Sequence, residues 1–124
     1  MSSDSLDSAI DLVADDVEDL SNPVIFAIAQ RGDGFDDACN RLSVRPAERL
    51  VDGELDFHGA DGVMNWVWSY ITAALVDGAS LPEPAFSIYD AIDAGEYHHR
   101  GDGAEVDPVE KYTMPALRKI LAKL

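Results

Sequence analysis

One stretch of the sequence, from about residue 60 to residue 76, is apolar on nearly every side when it is drawn as a helix. Its apolar positions are Val63, Met64, Trp66, Val67, Trp68, Tyr70, Ile71, Ala74 and Leu75. A narrow strip holds the polar residues, which are Asp61, Asn65, Ser69 and Thr72. A helix with so little polar surface has to be enclosed by other elements. We therefore expect a central helix at 60–76, with both tryptophans as core residues.

The rest of the chain predicts shorter helices around this one. An apolar stripe at steps of three and four predicts a first helix as far as residue 20, with Leu6, Ile10, Val13, Val17 and Leu20 on its buried side. Early prolines and apolar spacing predict helices over 24–30, 35–42 and 46–51, a helix that follows Pro82 and Pro84 and ends at Ala94, and a last helix from about 113. Asp-Gly pairs predict turns that end at Gly34, Gly53, Gly62, Gly78 and Gly103.

These patterns predict an all-α fold of five to seven short helices in one domain over residues 1–124. Apolar residues make up 47% of the chain, which is enough for a hydrophobic core. The single cysteine, Cys39, excludes an internal disulfide, and we expect it to be a buried core residue. Two segments, 51–58 and 96–112, leave room for a short pair of strands.

Charge is the unusual feature of the composition. Twenty-four acidic residues stand against nine Lys and Arg, which gives a formal net charge of −15. A field of this sign repels phosphate backbones, so we expect no nucleic-acid partner. The acidic N-terminus lacks the pattern of a secretion signal, and the uncharged stretch between Asp61 and Asp77 is too short to span a membrane. We expect a cytoplasmic protein without a membrane partner; the sequence leaves its oligomeric state open.

Much of the acid lies in the first predicted helix. At 100° per residue, the side opposite its apolar stripe carries Asp4, Asp7, Asp11, Asp15 and Glu18. Asp16 and Asp19 adjoin them. Two interpretations remain open: a solvated face, as expected of a protein from a halophilic organism, or a surface that binds a basic protein. The seven acids are the candidate partner-binding residues.

The segment 96–102 collects the most reactive residue types. Glu96, His98 and His99 lie there, and the distant His58 is a fourth candidate ligand for a metal-dependent enzyme. Metal binding requires three or four ligands that converge, whereas adjacent histidines in extended chain point apart. The sequence contains no zinc-binding helix motif, phosphate-binding loop or nucleophile elbow. We therefore predict a protein that is not an enzyme and has no metal or other cofactor.

The end of the chain resembles small bacterial immunity proteins. The resemblance is carried by residues 95–102, Gly-Glu-Tyr-His-His-Arg-Gly-Asp, by residues 107–115, Asp-Pro-Val-Glu-Lys-Tyr-Thr-Met-Pro, and by the short terminal helix. It covers about a quarter of the chain and assigns no binding residue. Proteins of that kind are compact, cytoplasmic and often acidic, and each neutralises a partner toxin by binding it. The resemblance implies the same for this chain.

Overall fold

The computed structural model describes residues 3–124, with side chains from Ser5 onward. Over this range the fold is all-α, as predicted, and neither 51–58 nor 96–112 contains a strand. Five-residue π-helical geometry at Val109–Thr113 leads into the last helix. The six α-helices are α1 (Ser3–Ala14), α2 (Pro23–Gln30), α3 (Phe35–Val51), α4 (Phe57–Val76), α5 (Ala85–Asp93) and α6 (Met114–Ala122).

Helix α4 is the central element, as its apolar circumference predicts. It packs against α1, α2, α3 and α5, and it contributes to both clusters of the core. One cluster joins α4 to α1, α2 and the first half of α3; the other joins it to α5, α6 and the second half of α3. Trp66 and Trp68 are half-buried, at the edge of the first cluster rather than at its centre. Trp68 stacks on Tyr89 of α5, with ring centroids 4.5 Å apart.

The first helix is shorter than predicted, because it stops at Ala14 rather than near residue 20. Asp16 adopts a left-handed conformation, with φ of 62°. The Val17 amide then donates to the Leu12 carbonyl at 2.8 Å, and the Asp16 amide donates to the Val13 carbonyl at 3.0 Å. This pair of bonds is a Schellman cap. Val17 and Leu20, predicted to be buried, are therefore about half exposed.

Two further predictions about helix ends are wrong. The separate helices expected at 35–42 and 46–51 are a single helix, α3, with Pro46 buried in its interior. Pro46 removes one backbone hydrogen bond without ending the helix. Gly62 lies inside α4 instead of in a turn, whereas Gly53 and Gly78 have positive φ and follow the ends of α3 and α4 as expected.

The C-terminal segment is fixed by close packing of two side chains against the Gly95 backbone. Gly95, after α5, lies against Thr113 and Phe57, and a Cβ atom added there would overlap the Thr113 hydroxyl. That hydroxyl donates to the Ala91 carbonyl at 2.7 Å, and Thr113 is completely buried. This contact ties the π-helical geometry before α6 to α5. No helix within residues 3–124 has the length and apolar character needed to cross a lipid bilayer.

Candidate protein-binding surface

Two of the seven candidate acids of the first segment form ion pairs with arginines of α3. Asp7 accepts a hydrogen bond from Arg45 Nε at 3.0 Å, and Asp11 accepts one from Arg49 at 3.2 Å. Arg49 also lies 3.9 Å from Asp7, and its side chain is only 15% exposed. These pairs join α1 to α3, and Asp7 raises the pKa of Arg45 through its hydrogen bond. Much of the negative charge of Asp7 and Asp11 is therefore compensated internally.

Glu18 is also held by the fold, although it lies outside any helix. Its carboxylate oxygen Oε1 accepts hydrogen bonds from the Trp66 indole, at 3.0 Å, and from the Tyr70 hydroxyl. The hydrogen bond to Glu18, followed by burial, raises the pKa of Tyr70 to about 12. Trp66 and Tyr70 lie one turn apart on α4 and contact each other edge to face. Glu18 therefore fastens the segment after α1 onto the central helix.

The remaining described acids of this segment face solvent. We call residues 15–20 the acidic loop. Asp15, Asp16 and Asp19 are exposed there, and none of them forms an ion pair with a described residue. Asp19 accepts hydrogen bonds from the Ser21 hydroxyl and amide, which lower its pKa and keep it ionised. The side chain of Asp4, the seventh candidate, lies outside the described side chains.

Acidic residues are not confined to this end of the molecule. Exposed carboxylates without an ion-pair partner in the described chain also occur before α3 and in its first turn, after α3, on α5 and near the C-terminus. They include Asp33, Asp36, Asp52, Glu54, Asp90, Glu105 and Glu110. Charge alone therefore does not define one face of the protein. The acidic loop also carries two exposed apolar side chains, Val17 and Leu20, among its unpaired acids.

The two neighbouring histidines of the 96–102 segment bind different backbone carbonyls. His98 Nε2 lies 2.9 Å from the Asp102 carbonyl oxygen, and His99 Nε2 lies 2.7 Å from that of Ala94. His58 is exposed in the first turn of α4 and lines a shallow depression with Asp11 and Asp15. Among the described residues, no three His, Cys, Asp or Glu side chains are arranged to hold a metal ion.

Glu96, the fourth candidate ligand, lies with carboxylates of α4 and α5. It accepts a hydrogen bond from Asn65 at 3.3 Å. A hydrogen bond with Asp61, and then partial burial, raise the pKa of Glu96. Burial, and then a hydrogen bond with Glu96, raise the pKa of Asp93. Carboxylates of like charge that lie this close together disfavour each other's ionisation, in addition to the effect of burial.

An aromatic stack and an ion pair close the loop before α6. The ring of His99 stacks between those of Tyr97 and Tyr112, with centroid distances of 4.4 and 3.8 Å. Asp102 accepts hydrogen bonds from Lys111 at 2.5 Å and from Tyr112 at 2.6 Å. Tyr97 is 53% exposed, whereas Tyr112 is half-buried and is the tyrosine that anchors the loop.

Asp102 predicts a pH-dependent contribution to stability. Hydrogen bonds from Lys111 and Tyr112 lower its pKa below the ordinary 3.8. A depressed carboxyl pKa stabilises the fold above the unfolded value, and this stabilisation is lost as the pH falls through the folded value. We expect Asp102→Asn to lower the thermal midpoint at pH 7, and we expect this difference from wild type to shrink as the pH falls through the folded pKa of Asp102. Thermal unfolding followed by circular dichroism across acidic pH measures both; a difference that stays the same at every pH would contradict this role.

Sequence reasoning missed the residues that bind the acids of the first segment. Arg41, Arg45 and Arg49 recur at four-residue spacing, which places them on one side of α3. Half of the six arginines of this acid-rich chain lie in that row, which was a usable signal for internal ion pairing. Arg45 and Arg49 pair with α1, whereas Arg41 pairs with Asp37 within α3. No local signal indicates that Trp66 and Tyr70 bind Glu18, since 48 and 52 residues separate them from it.

Comparison with known proteins does not identify the chain: no family model, no curated protein and no solved structure matches it. The functional proposal therefore depends on the contacts and exposure of the acidic loop.

Proposed function

We propose that this protein is an acidic protein-binding module that binds a basic protein through its acidic loop, and that it acts as a toxin-neutralising immunity protein. The observation that carries the proposal is the contrast within one segment. Asp7 and Asp11 are compensated by arginines of α3, whereas Asp15, Asp16 and Asp19 have no cationic partner in the described chain. The resemblance of residues 95–124 to small immunity proteins supports the choice of a toxin as the partner.

Binding requires no chemistry beyond charge and shape. Three exposed carboxylates in five residues attract Lys and Arg side chains of the partner and accelerate encounter. For a toxin that acts on nucleic acid, the same carboxylates would occupy the surface that receives phosphates. Inhibition would then follow from steric and electrostatic occupation. No catalytic group is assigned to this protein in the proposal.

One observation favours a second candidate, a helical domain whose acidity serves solvation rather than binding. The exposed, unpaired carboxylates at both ends of the described chain fit a helical domain from a halophilic organism, whose acidity serves solvation. At a net charge of −15, such a domain depends on salt to screen repulsion between its own carboxylates. The two candidates therefore differ in how salt acts on the free protein and on its complex.

The test combines binding and folding at two salt concentrations. We expect the association rate with a basic protein encoded beside this chain in its genome to fall at least about tenfold between roughly 20 and 500 mM salt. Circular dichroism of the free protein should remain that of a folded helical chain at the lower salt. Loss of helix at low salt, with no association at either concentration, would favour the halophilic domain and overturn our proposal.

A further inference from the structure

Three of the large apolar side chains that face solvent lie close together in the sequence. Val17, Leu20 and Phe26 are 45%, 48% and 49% exposed. Covalent and helical geometry limits the Cα separation of Leu20 and Phe26 to roughly 13 Å. Exposed apolar residues at single positions are common in soluble proteins, whereas apolar side chains grouped into one patch mark an interaction site. Asp15, Asp16 and Asp19 alternate with two of them.

The loop that carries Val17 and Leu20 is fixed at both ends. The Schellman cap at Asp16 sets the direction in which the chain leaves α1, and Glu18 is bound to Trp66 and Tyr70. After the loop, the Asn22 side chain donates to the Ser5 carbonyl at 2.9 Å and caps α2. A loop already held in one conformation loses little entropy on binding. The exposure of its apolar side chains is therefore a property of the folded protein.

We infer that Val17 and Leu20 form the apolar centre of the binding surface, and that they enter an apolar depression on a partner whose rim carries Lys and Arg side chains. Those cations pair with Asp15, Asp16 and Asp19, while Glu18 acts as a positioning residue. This inference rests on the proposed function and adds to it a requirement for apolar contact. Apolar anchors surrounded by polar rims supply most of the energy of protein interfaces.

The charge of the acidic loop determines which class of partner can bind there. A second copy of this chain would bring another 15 negative charges to the acidic loop, and nucleic acid would bring phosphates, so both are repelled. A cationic surface without apolar groups would satisfy the carboxylates and leave Val17 and Leu20 in water. A cationic surface with an apolar depression satisfies both kinds of group. The partner is therefore a basic protein that also exposes apolar side chains.

Two synthetic peptides of equal length and equal charge separate the apolar contribution from the electrostatic one. One alternates lysine with leucine in an amphipathic pattern, and the other replaces every leucine by serine. We expect wild-type protein to bind the leucine peptide at least about tenfold more tightly than the serine peptide. Val17→Ser with Leu20→Ser should abolish this preference and leave the affinity for the serine peptide unchanged. Isothermal titration calorimetry measures all four affinities.

Val76→Ser provides the matched control. Val76 is 86% exposed at the end of α4, so its replacement removes an apolar side chain elsewhere and should leave the leucine preference intact. All the variants change exposed side chains, and thermal unfolding checks that they remain folded. A leucine preference that survives in the Val17→Ser, Leu20→Ser variant would overturn the inference and leave the proposed function standing. Failure of wild-type protein to bind either peptide, even at low salt, would overturn both.

Discussion

Gly95→Ala is expected to destabilise the protein by about 2–4 kcal/mol, the larger part of which comes from overlap with the Thr113 hydroxyl and the Phe57 ring. The new methyl would lie 2.9 Å from Cε1 of Phe57, which is closer than carbon atoms approach in folded proteins. Forcing Thr113 aside also breaks its bond to the Ala91 carbonyl, which leaves buried polar groups unpaired. The thermal midpoint should fall by roughly 10 °C.

Gly62→Ala is the matched control, because it is the same chemical change in a different environment. Nothing lies within 4 Å of a Cβ atom added at Gly62, which sits inside α4 with a negative φ. Alanine in a helix interior is favoured over glycine, so we expect this variant to be more stable than wild type by about 0.5–1 kcal/mol. The two substitutions should therefore shift the midpoint in opposite directions.

A double variant tests whether Thr113 is the cause. Thr113→Ala removes the hydroxyl, so adding Gly95→Ala to that background should cost less than adding it to wild type. Denaturant unfolding of the four proteins gives the interaction free energy. If Gly95→Ala is as stable as wild type, or if its cost is the same in both backgrounds, the close approach between α5 and the segment before α6 does not matter for stability.

The helices that sequence predicted well are those with strong local or whole-helix signals. The apolar circumference of α4 required enclosure, and the structure encloses it on several sides. Pro23, one of the early prolines, indicated the start of α2, and the Asn22 side chain caps this helix by accepting hydrogen bonds from the Val24 and Ile25 amides. In both helices the determining residues lie within the helix or directly beside it. Local physics was sufficient there.

The errors arise where the structure departs from the common local pattern. Helix α1 ends at an aspartate in a left-handed conformation, a position that glycine or asparagine more often occupies. The apolar stripe, which continues to Leu20, gave no warning of this end. Pro46 lies inside α3 although proline is strongly disfavoured in helix interiors. Packing on both sides of α3 holds this helix together.

The candidate surface was only partly accessible to sequence reasoning. Helical periodicity placed the acids of the first segment on one side of a helix. This placement is correct only as far as Asp11, because α1 ends at Ala14. Periodicity could not separate the acids bound by Arg45 and Arg49 from those left in solvent, because pairing depends on how α1 and α3 are placed. Exposure of Val17 and Leu20 followed from the early end of α1, so the same error in helix length concealed the apolar part of the surface.

We propose that the acidic loop, rather than the net charge of the protein, determines where the partner binds. Replacing Asp15, Asp16 and Asp19 by asparagine removes three charges while keeping the cap and turn geometry, since asparagine tolerates the left-handed conformation and keeps an acceptor oxygen for Ser21. Asp11 and Glu18 are left unchanged because Arg49, Trp66 and Tyr70 engage them. The matched control removes three charges from exposed positions on other elements, by Asp90→Asn, Glu105→Gln and Glu110→Gln.

Stopped-flow association with the basic protein encoded beside this chain, at low salt, compares the two triple variants directly. We predict that the loop variant associates at least about tenfold more slowly than wild type, and that the control variant stays within about twofold. Equal slowing in both variants would show that only the total charge matters. An unchanged rate in the loop variant would contradict a binding surface at residues 15–20.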